Sequence, residues 1–139
     1  QLQILSVKNA NDVKNRIVSI VHGIVSFWLA TYEYLPYPAL SKLSLNSSSQ
    51  HNTNLQTFIV LFSLAYCVYD LLACIYYRLS DISLISHHLF CILGFGFGAW
   101  CGYGAIDGIG GLFVAEVSNF YMHLRVILRI FNKKNTKAY

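Results

Sequence analysis

Apolar residues along the chain fall into four long runs, Val13–Leu35, Leu55–Leu79, Ile82–Tyr103 and Ala105–Phe131. Each run approaches the roughly 20 residues that an α-helix needs to cross about 30 Å of hydrocarbon. The long polar connection, Pro36–Asn54, is rich in Ser and Asn, as a solvated loop should be. The pattern predicts an all-α fold, an integral membrane helical bundle of about four transmembrane helices.

Outside this predicted bundle the chain has only short ends. We expect an N-terminal segment over residues 1–12, the bundle over 13–131 and a basic C-terminal tail over 132–139. Hydrophobic residues make up 55% of the chain and charged residues only 12%, which leaves too little polar surface for a water-soluble domain. The four Cys residues lie in apolar runs without C-x-x-C spacing, so neither a disulfide framework nor a zinc site is expected.

Basic residues indicate how the predicted helices are oriented. If the N-terminus faces the cytoplasm, nine of the ten Lys and Arg residues fall on that side and only Lys42 on the other. This asymmetry follows the positive-inside rule and supports both the number of spans and their direction. We interpret Arg16, Arg78, Arg125 and Arg129 as topology determinants and lipid-headgroup contacts, not as a nucleic-acid site, because no exposed stacking aromatics are grouped with them.

Six ionisable side chains lie inside the predicted spans, where each costs on the order of 3 kcal/mol unless it faces the bundle interior or a partner. They are His22, Asp70, His87, His88, Glu116 and His123. Their sequence distances from the flanking charged residues, at about 1.5 Å per residue, place all six in one layer near the basic edge. Ser19 and Asn119 share helical stripes with His22 and Glu116, so we expect one polar cluster that includes them.

Two interpretations of this cluster stay open. Its members could hydrogen-bond one another across helices and hold the bundle together, at about 0.6–2 kcal/mol per pair. They could instead line a pocket for a lipid headgroup, an acyl thioester or a proton.

No metal is expected, because adjacent His87 and His88 point about 100° apart on a helix. A cluster near one face, not at the midplane, also disfavours a transporter.

Eight of the nine Gly residues fall between Gly94 and Gly111. Pairs such as Gly94/Gly98 and Gly104/Gly108 have the small-xxx-small spacing that lets membrane helices approach closely. The density of Gly also predicts a kinked end to the third helix and a tight turn into the fourth. No Lys followed by Ser or Thr completes a phosphate-binding loop, so packing is the expected role.

Four short motifs, one on each predicted helix, resemble the TLC-domain family in their order and spacing. They are RIVSIVH at 16–22, YCVYDL at 66–71, SHH at 86–88, and EVSN at 116–119 followed by Leu124-Arg125. The resemblance implies a membrane bundle of more than four helices around a cavity that accepts a long acyl chain. It singles out nine positions here: Arg16, Ser19, His22, Asp70, His87, His88, Glu116, Ser118 and Arg125.

Within that family, ceramide synthases carry additional His and Asp residues around the paired His. The flanking stretches here, RLSDISLIS at 78–86 and FCILGFGF at 90–97, show no such set. This departure argues against sphingolipid N-acylation and makes the chain more similar to the TLC-only branch, whose members look like modulators of membrane lipid composition.

The resemblance therefore implies a multi-pass protein that binds or handles membrane lipids, without a cofactor and without nucleic acid. Whether it is an enzyme stays open; if it is, we expect an acyltransferase-like reaction with His87 or His88 as acyl acceptor or base and Asp70 or Glu116 as the orienting carboxylate. The alternative is a non-catalytic accessory subunit of a large membrane complex.

The expected location is an endomembrane or the plasma membrane, with the basic termini in the cytoplasm. The alternative is the mitochondrial inner membrane, with the basic termini in the matrix. Other membrane subunits, or helices that the chain lacks, would complete the bundle.

Overall fold

The structure, a computed structural model, describes residues 6–34, 50–79 and 82–131. Four helices make up this part of the chain: α1 (Val7–Tyr34), α2 (Asn54–Tyr76), α3 (Ile82–Cys101) and α4 (Ala105–Ile130). The described residues form no β-strand. The predicted all-α fold of four helices is confirmed, whereas the predicted tail at 132–139 and most of the predicted loop at 36–54 lie outside the described residues.

The helices differ in how clearly their composition marks them as membrane-spanning. Among the described residues, two helices are long and apolar enough to cross a bilayer by composition alone: Asn54–Tyr76 and Leu84–Cys101. α1 and α4 are longer, at 28 and 26 residues, but they carry most of the charged side chains. Large apolar side chains point outward on all four helices, among them Trp28, Phe58, Phe97 and Val114. Such a surface suits a bundle that is surrounded by lipid.

Capping side chains explain where the first two helices begin. α1 starts at Val7, earlier than the predicted span at Val13, because the Ser6 hydroxyl accepts a hydrogen bond from the Asn9 amide at 3.2 Å. α2 begins with a capping box, in which Thr53 accepts from the Gln56 amide at 3.2 Å and the Gln56 side chain accepts from the Thr53 amide at 3.0 Å. Polar residues at the ends therefore extend helices beyond what apolar content alone predicts.

α2 ends at Tyr76, before the predicted Leu79, because Arg78 adopts a left-handed backbone with φ of 54°. The amide of Arg78 then bonds the Ile75 carbonyl at 3.1 Å, and the amide of Leu79 bonds the Cys74 carbonyl at 2.9 Å. This pair of bonds is the Schellman arrangement, which closes a helix and turns the chain. α3 can then run back along α2.

The four helices pack so that α2 and α4 each contact all three others, and the most extensive contacts join α1 to α4 and α2 to α3. A small apolar core lies toward the end of the bundle that holds the α3–α4 turn, which we call the turn end. Its buried members are Ala30, Ile59, Val60, Ala105, Ile109 and Leu112. The opposite end, where α2 and α4 finish and α1 begins, carries Arg16, Arg78, Arg125 and Arg129, and we call it the basic end.

The predicted tight turn between α3 and α4 is present, and a side chain from outside it stabilises it. Gly102 and Gly104 have φ of 73° and 76°, a conformation that glycine adopts without strain. Gly104 is the N-cap of α4 and offers no capping side chain. Asn52 supplies the missing bonds: its side-chain amide donates to the Gly98 carbonyl at 2.9 Å, and its oxygen accepts from the Ala105 amide at 3.0 Å.

We predict that Asn52→Ala lowers the free energy of unfolding by about 1–2 kcal/mol, because both helix ends lose a partner. Asn52→Asp keeps the acceptor for the Ala105 amide but loses the donor to Gly98, so its effect should be intermediate. Thermal unfolding in one detergent ranks the three proteins. Equal stability of Asn52→Ala and the unchanged chain would show that this side chain does not fasten the turn.

Candidate functional site

The polar stripe of α1 turns into the bundle. Asn15, Ser19, His22 and Ser26 lie at helical spacing along one face, and all four are buried. The Ser19 hydroxyl donates to the Asn15 carbonyl one turn earlier, at 3.0 Å. α1 thus contributes polar groups to the interior instead of a continuous apolar face.

At the centre of the polar cluster, Asp70 of α2 contacts His88 of α3. Asp70 Oδ2 lies 2.6 Å from His88 Nε2, and both side chains are only 7% exposed. The Asn15 side-chain amide donates to the other carboxyl oxygen, Asp70 Oδ1, also at 2.6 Å. Three helices therefore meet at one carboxyl group, which is the arrangement that makes a buried acid tolerable.

The hydrogen bonds of His88 fix where one proton lies. His88 Nδ1 is 2.9 Å from the Leu84 carbonyl, which can only accept, so Nδ1 must carry a hydrogen. The short contact between Nε2 and Asp70 Oδ2 also needs a hydrogen, supplied by either the imidazole or the carboxyl group. In both forms the pair holds one shared proton, and the net charge of the pair is zero.

His22 forms a second polar centre, deeper along α1. Its ring stacks with Tyr66, at a centroid distance of 3.7 Å, and with Phe62, at 5.1 Å. Its Nε2 is 3.0 Å from the Ser26 hydroxyl. Its Nδ1 faces Glu116 Oε1 at 3.7 Å, which is too long for a direct hydrogen bond. The rings hold the imidazole in place, so the gap to Glu116 is set by packing.

Glu116 reaches this position because α1 and α4 approach closely at Gly23. A Cβ atom at Gly23 would lie 2.9 Å from Glu116 Oε2, closer than side chains normally approach. The Asn119 side-chain amide donates to the same oxygen at 3.3 Å. The single glycine of α1 therefore makes room for a carboxyl group.

Toward the basic end, Arg16 forms a separate group. Its Nε is 2.8 Å from Asp12 Oδ1, and its Nη1 is 3.3 Å from His123 Nδ1. Since the guanidinium can only donate, His123 Nδ1 accepts this bond. His123 is therefore paired with a cation near the basic end and not with the carboxyl groups deeper in the bundle.

Three neighbouring cavities follow the axis of the bundle. The mouth cavity, of about 480 Å³, is lined near the basic end by Asp12, Arg16 and Ser19 among others. The deep cavity, of about 360 Å³, is lined by groups that include both polar centres. The glycine cavity, of about 240 Å³, lies toward the turn end and is lined by Val60, Cys91, Gly94, Phe95, Gly98, Gly104, Ala105 and Gly108.

Each of these cavities shares wall residues with the next. Asp70, His87 and Asn119 belong to both the mouth and deep cavities, and Cys91, Phe95 and Gly108 to both the deep and glycine cavities. Because α4 and its N-cap line all three cavities, from Gly104 to Val126, the row is about 33 Å long at 1.5 Å per residue. That length is close to the hydrocarbon thickness of a bilayer, about 30 Å.

The structure brings most of the predicted cluster to one place. The deep cavity is lined by seven of the eight predicted members: His22, Asp70, His87, His88, Glu116, Asn119 and His123. Ser19 lines the adjoining mouth cavity. Among these, only His87 is an exposed residue, and its Nε2 lies 3.6 Å from the Cys91 thiol.

Other predicted positions lie outside the cavities. The Ser118 side chain is exposed and donates to the Ala115 carbonyl of its own helix at 2.8 Å. Arg78, Arg125 and Arg129 are exposed toward the basic end, whereas Arg16 lines the mouth cavity.

Two residues of the site were not predicted. Asn15 bonds Asp70, and Ser63 lines the deep cavity on α2. Asn15 could have been found by extending the α1 stripe back one turn, since it lies four residues before Ser19. A single Ser such as Ser63 in an apolar helix carries no comparable signal, because Ser can bond its own helix.

We predict that Ser26→Ala lowers the free energy of unfolding by about 0.5–1.5 kcal/mol, because His22 Nε2 loses its buried partner. The matched control is Ser118→Ala, which removes an exposed hydroxyl from α4 and should change stability by less than about 0.5 kcal/mol. Unfolding in detergent measures both. Equal effects of the two substitutions would contradict the proposed anchoring of His22.

Comparison with known proteins agrees with the motifs. A protein-family model described as the TLC domain matches residues 12–139, which is most of the chain. No solved structure matches the chain. The resemblance that the four short motifs predicted is thus confirmed at the level of the family.

Proposed function

We propose that this chain, which belongs to the TLC-domain family, binds a membrane lipid inside its helical bundle and thereby modulates the lipid composition of the membrane around it. The family membership and the two strongly apolar helices identify a membrane-associated protein. The proposal adds the ligand, its position in the bundle and the role of the polar cluster.

The observation that carries this proposal is the change in polarity along the row of cavities. The mouth cavity has a charged lining, including Asp12 and Arg16. The deep cavity combines polar groups such as His22 and Glu116 with apolar walls. The glycine cavity is lined only by Gly, Ala, Val, Cys and Phe among the described residues. An amphiphile fits such a gradient with its polar part toward the basic end and its chain toward the turn end.

Cavity size supports the same function. The deep and mouth cavities each exceed the lower end of the range for ligand pockets, about 300–1,000 Å³. If the polar groups served only to hold the helices together, the bundle would be more stable with its helices closed around them, because protein interiors normally pack without voids. The polar groups here line space instead.

We propose binding, and not acyl transfer, as the principal role of the polar cluster. Both ring nitrogens of His88 are engaged, one by Asp70 and one by the Leu84 carbonyl. Neither nitrogen has a free lone pair for an acyl group, so His88 is better suited to hold a proton and a hydrogen-bonded ligand. This favours the lipid-handling, TLC-only branch over an acyltransferase.

For the location, we propose an endomembrane or the plasma membrane with the basic end in the cytoplasm. The exposed Arg78, Arg125 and Arg129 at that end would then meet the anionic leaflet, as the positive-inside rule requires. The mouth cavity would open toward the same leaflet, so a lipid could enter with its headgroup at the interface.

We predict that the chain purified in mild detergent carries about one lipid per molecule. Asp70→Asn and His88→Ala should reduce the lipid recovered about tenfold, because each removes a polar partner from the wall of the deep cavity. Asp107→Asn is the matched control, since Asp107 is exposed in the first turn of α4 and should leave recovery unchanged. Mass spectrometry of the extracted lipid gives the stoichiometry.

The outcome also separates the proposal from the accessory-subunit alternative. A chain that survives size exclusion in one stoichiometric complex, without bound lipid, would be a subunit of a larger assembly. Lipid recovered equally from the unchanged chain and the Asp70→Asn and His88→Ala variants would come from the outer surface of the bundle. Either result would overturn the proposal.

A further inference from the structure

Two buried polar atoms of residues that line the deep cavity make no hydrogen bond within the described part of the chain. They are Ser63 Oγ on α2 and His22 Nδ1 on α1. Ser63 is fully buried, and the His22 side chain is 5% exposed. A buried hydroxyl or imidazole without a partner costs about 1–3 kcal/mol, so both atoms favour a ligand that offers hydrogen bonds.

The charges around the deep cavity restrict what that ligand can be. No Lys or Arg is among the described residues that line this cavity. The Asp70–His88 pair shares its proton and has no net charge, whereas Glu116 can add a negative charge. Arg16 lies in the mouth cavity and is already paired with Asp12 at 2.8 Å. A carboxylate or phosphate in the deep cavity would therefore meet Glu116 without a permanent cation to balance it.

A hydroxyl group satisfies the observed groups best. It can donate to Glu116 Oε1 and accept from His22 Nδ1, bridging the 3.7 Å between them. A second hydroxyl of the same ligand can donate to or accept from Ser63 Oγ, because the serine hydroxyl does both. An ammonium group could donate to Glu116 and Ser63 but would leave a protonated His22 Nδ1 without an acceptor. An ionised carboxylate or phosphate would place further acceptors beside Glu116.

From these observations we infer that the deep cavity selects the hydroxyl groups of an uncharged single-chain lipid, such as a monoacylglycerol, over a fatty acid or a lysophospholipid. This inference rests on the proposed function and deepens it by naming the ligand class. The chain of the lipid lies in the glycine cavity, where Gly94, Gly98 and Gly104 present no side chains.

To reach the glycine cavity, the acyl chain of the lipid must pass the junction between the deep and glycine cavities. A Cβ atom at Gly108 would lie 3.3 Å from the Phe95 ring, so the passage beside Phe95 depends on this glycine. Both residues line both cavities. A chain attached to hydroxyl groups near Ser63 therefore enters the glycine cavity between α3 and α4.

The test uses the full chain in mild detergent, stripped of bound lipid, and three oleoyl probes that differ in polar group. They are 1-oleoylglycerol, oleic acid and oleoyl lysophosphatidic acid. Binding is measured by isothermal titration calorimetry and by the shift in thermal unfolding. We expect 1-oleoylglycerol to bind at least about tenfold more tightly than either anionic probe.

Two substitutions then test the side chains of Ser63 and Glu116, which we infer to select hydroxyl groups. Ser63→Ala should weaken 1-oleoylglycerol binding about 3- to 10-fold, as the loss of one hydrogen bond predicts. Glu116→Gln removes the negative charge but keeps a carbonyl acceptor, so it should strengthen oleic acid binding. The preference for 1-oleoylglycerol over oleic acid should then fall to less than about threefold. Ser118→Ala, whose hydroxyl lies outside the cavity, should bind all three probes like the unchanged chain.

The result can overturn the inference without overturning the proposed function. If an anionic probe binds as tightly as 1-oleoylglycerol, and Asp70→Asn weakens it, the bundle binds lipid but does not select hydroxyl groups. The same conclusion follows if Glu116→Gln leaves the preference unchanged. If no probe binds although the purified chain carries lipid, the inference fails and the proposed function stands; if the purified chain carries no lipid either, both fail.

Discussion

The carboxyl group of Asp70 sets the central constraint on this bundle. A carboxyl group in the hydrocarbon layer is tolerated only when its oxygens are hydrogen-bonded, because lipid offers no partners. Asp70 obtains them from Asn15 on α1 and His88 on α3, at 2.6 Å each. The carboxyl group thus fixes how three helices face one another. His22 and Glu116 bring α4 to the same interior, and the cavity lies among these groups.

The apolar and polar parts of the interior then occupy different halves of the molecule. Toward the turn end, Ile59 and Ile109 are fully buried and pack in the apolar core. Toward the basic end, the interior is polar and open, with the mouth cavity at its edge. An apolar half with a packed core and the glycine cavity, next to a polar and open half, suits a protein that admits an amphiphile from the basic end. The proposed lipid binding makes use of this division, whereas a purely structural subunit would not need it.

The sequence was sufficient to predict the four helices and most of the cluster, because both depend on burial. A charged or imidazole side chain in an apolar run is expected to turn inward; Asp70, His88 and Glu116 line one cavity, whereas His87 is an exposed residue. The exact helix ends were harder to predict, because they depend on local hydrogen bonds and backbone conformation. The early start of α1 depends on Ser6, and the early end of α2 depends on the left-handed Arg78. The partners within the cluster also could not be assigned, since which of several polar residues meet depends on helix rotation. His123, for example, bonds Arg16 and not a carboxyl group.

The most direct measurement of the central interaction is a double-mutant cycle on Asp70 and His88. The free energy of unfolding is compared for the unchanged chain, Asp70→Asn, His88→Gln and the double variant in one detergent. If the shared proton joins α2 to α3, the two substitutions should be non-additive by about 1 kcal/mol or more. Effects that add to within about 0.3–0.5 kcal/mol would show that the two side chains do not depend on each other, and would contradict the arrangement on which the cavity and its proposed lipid rest.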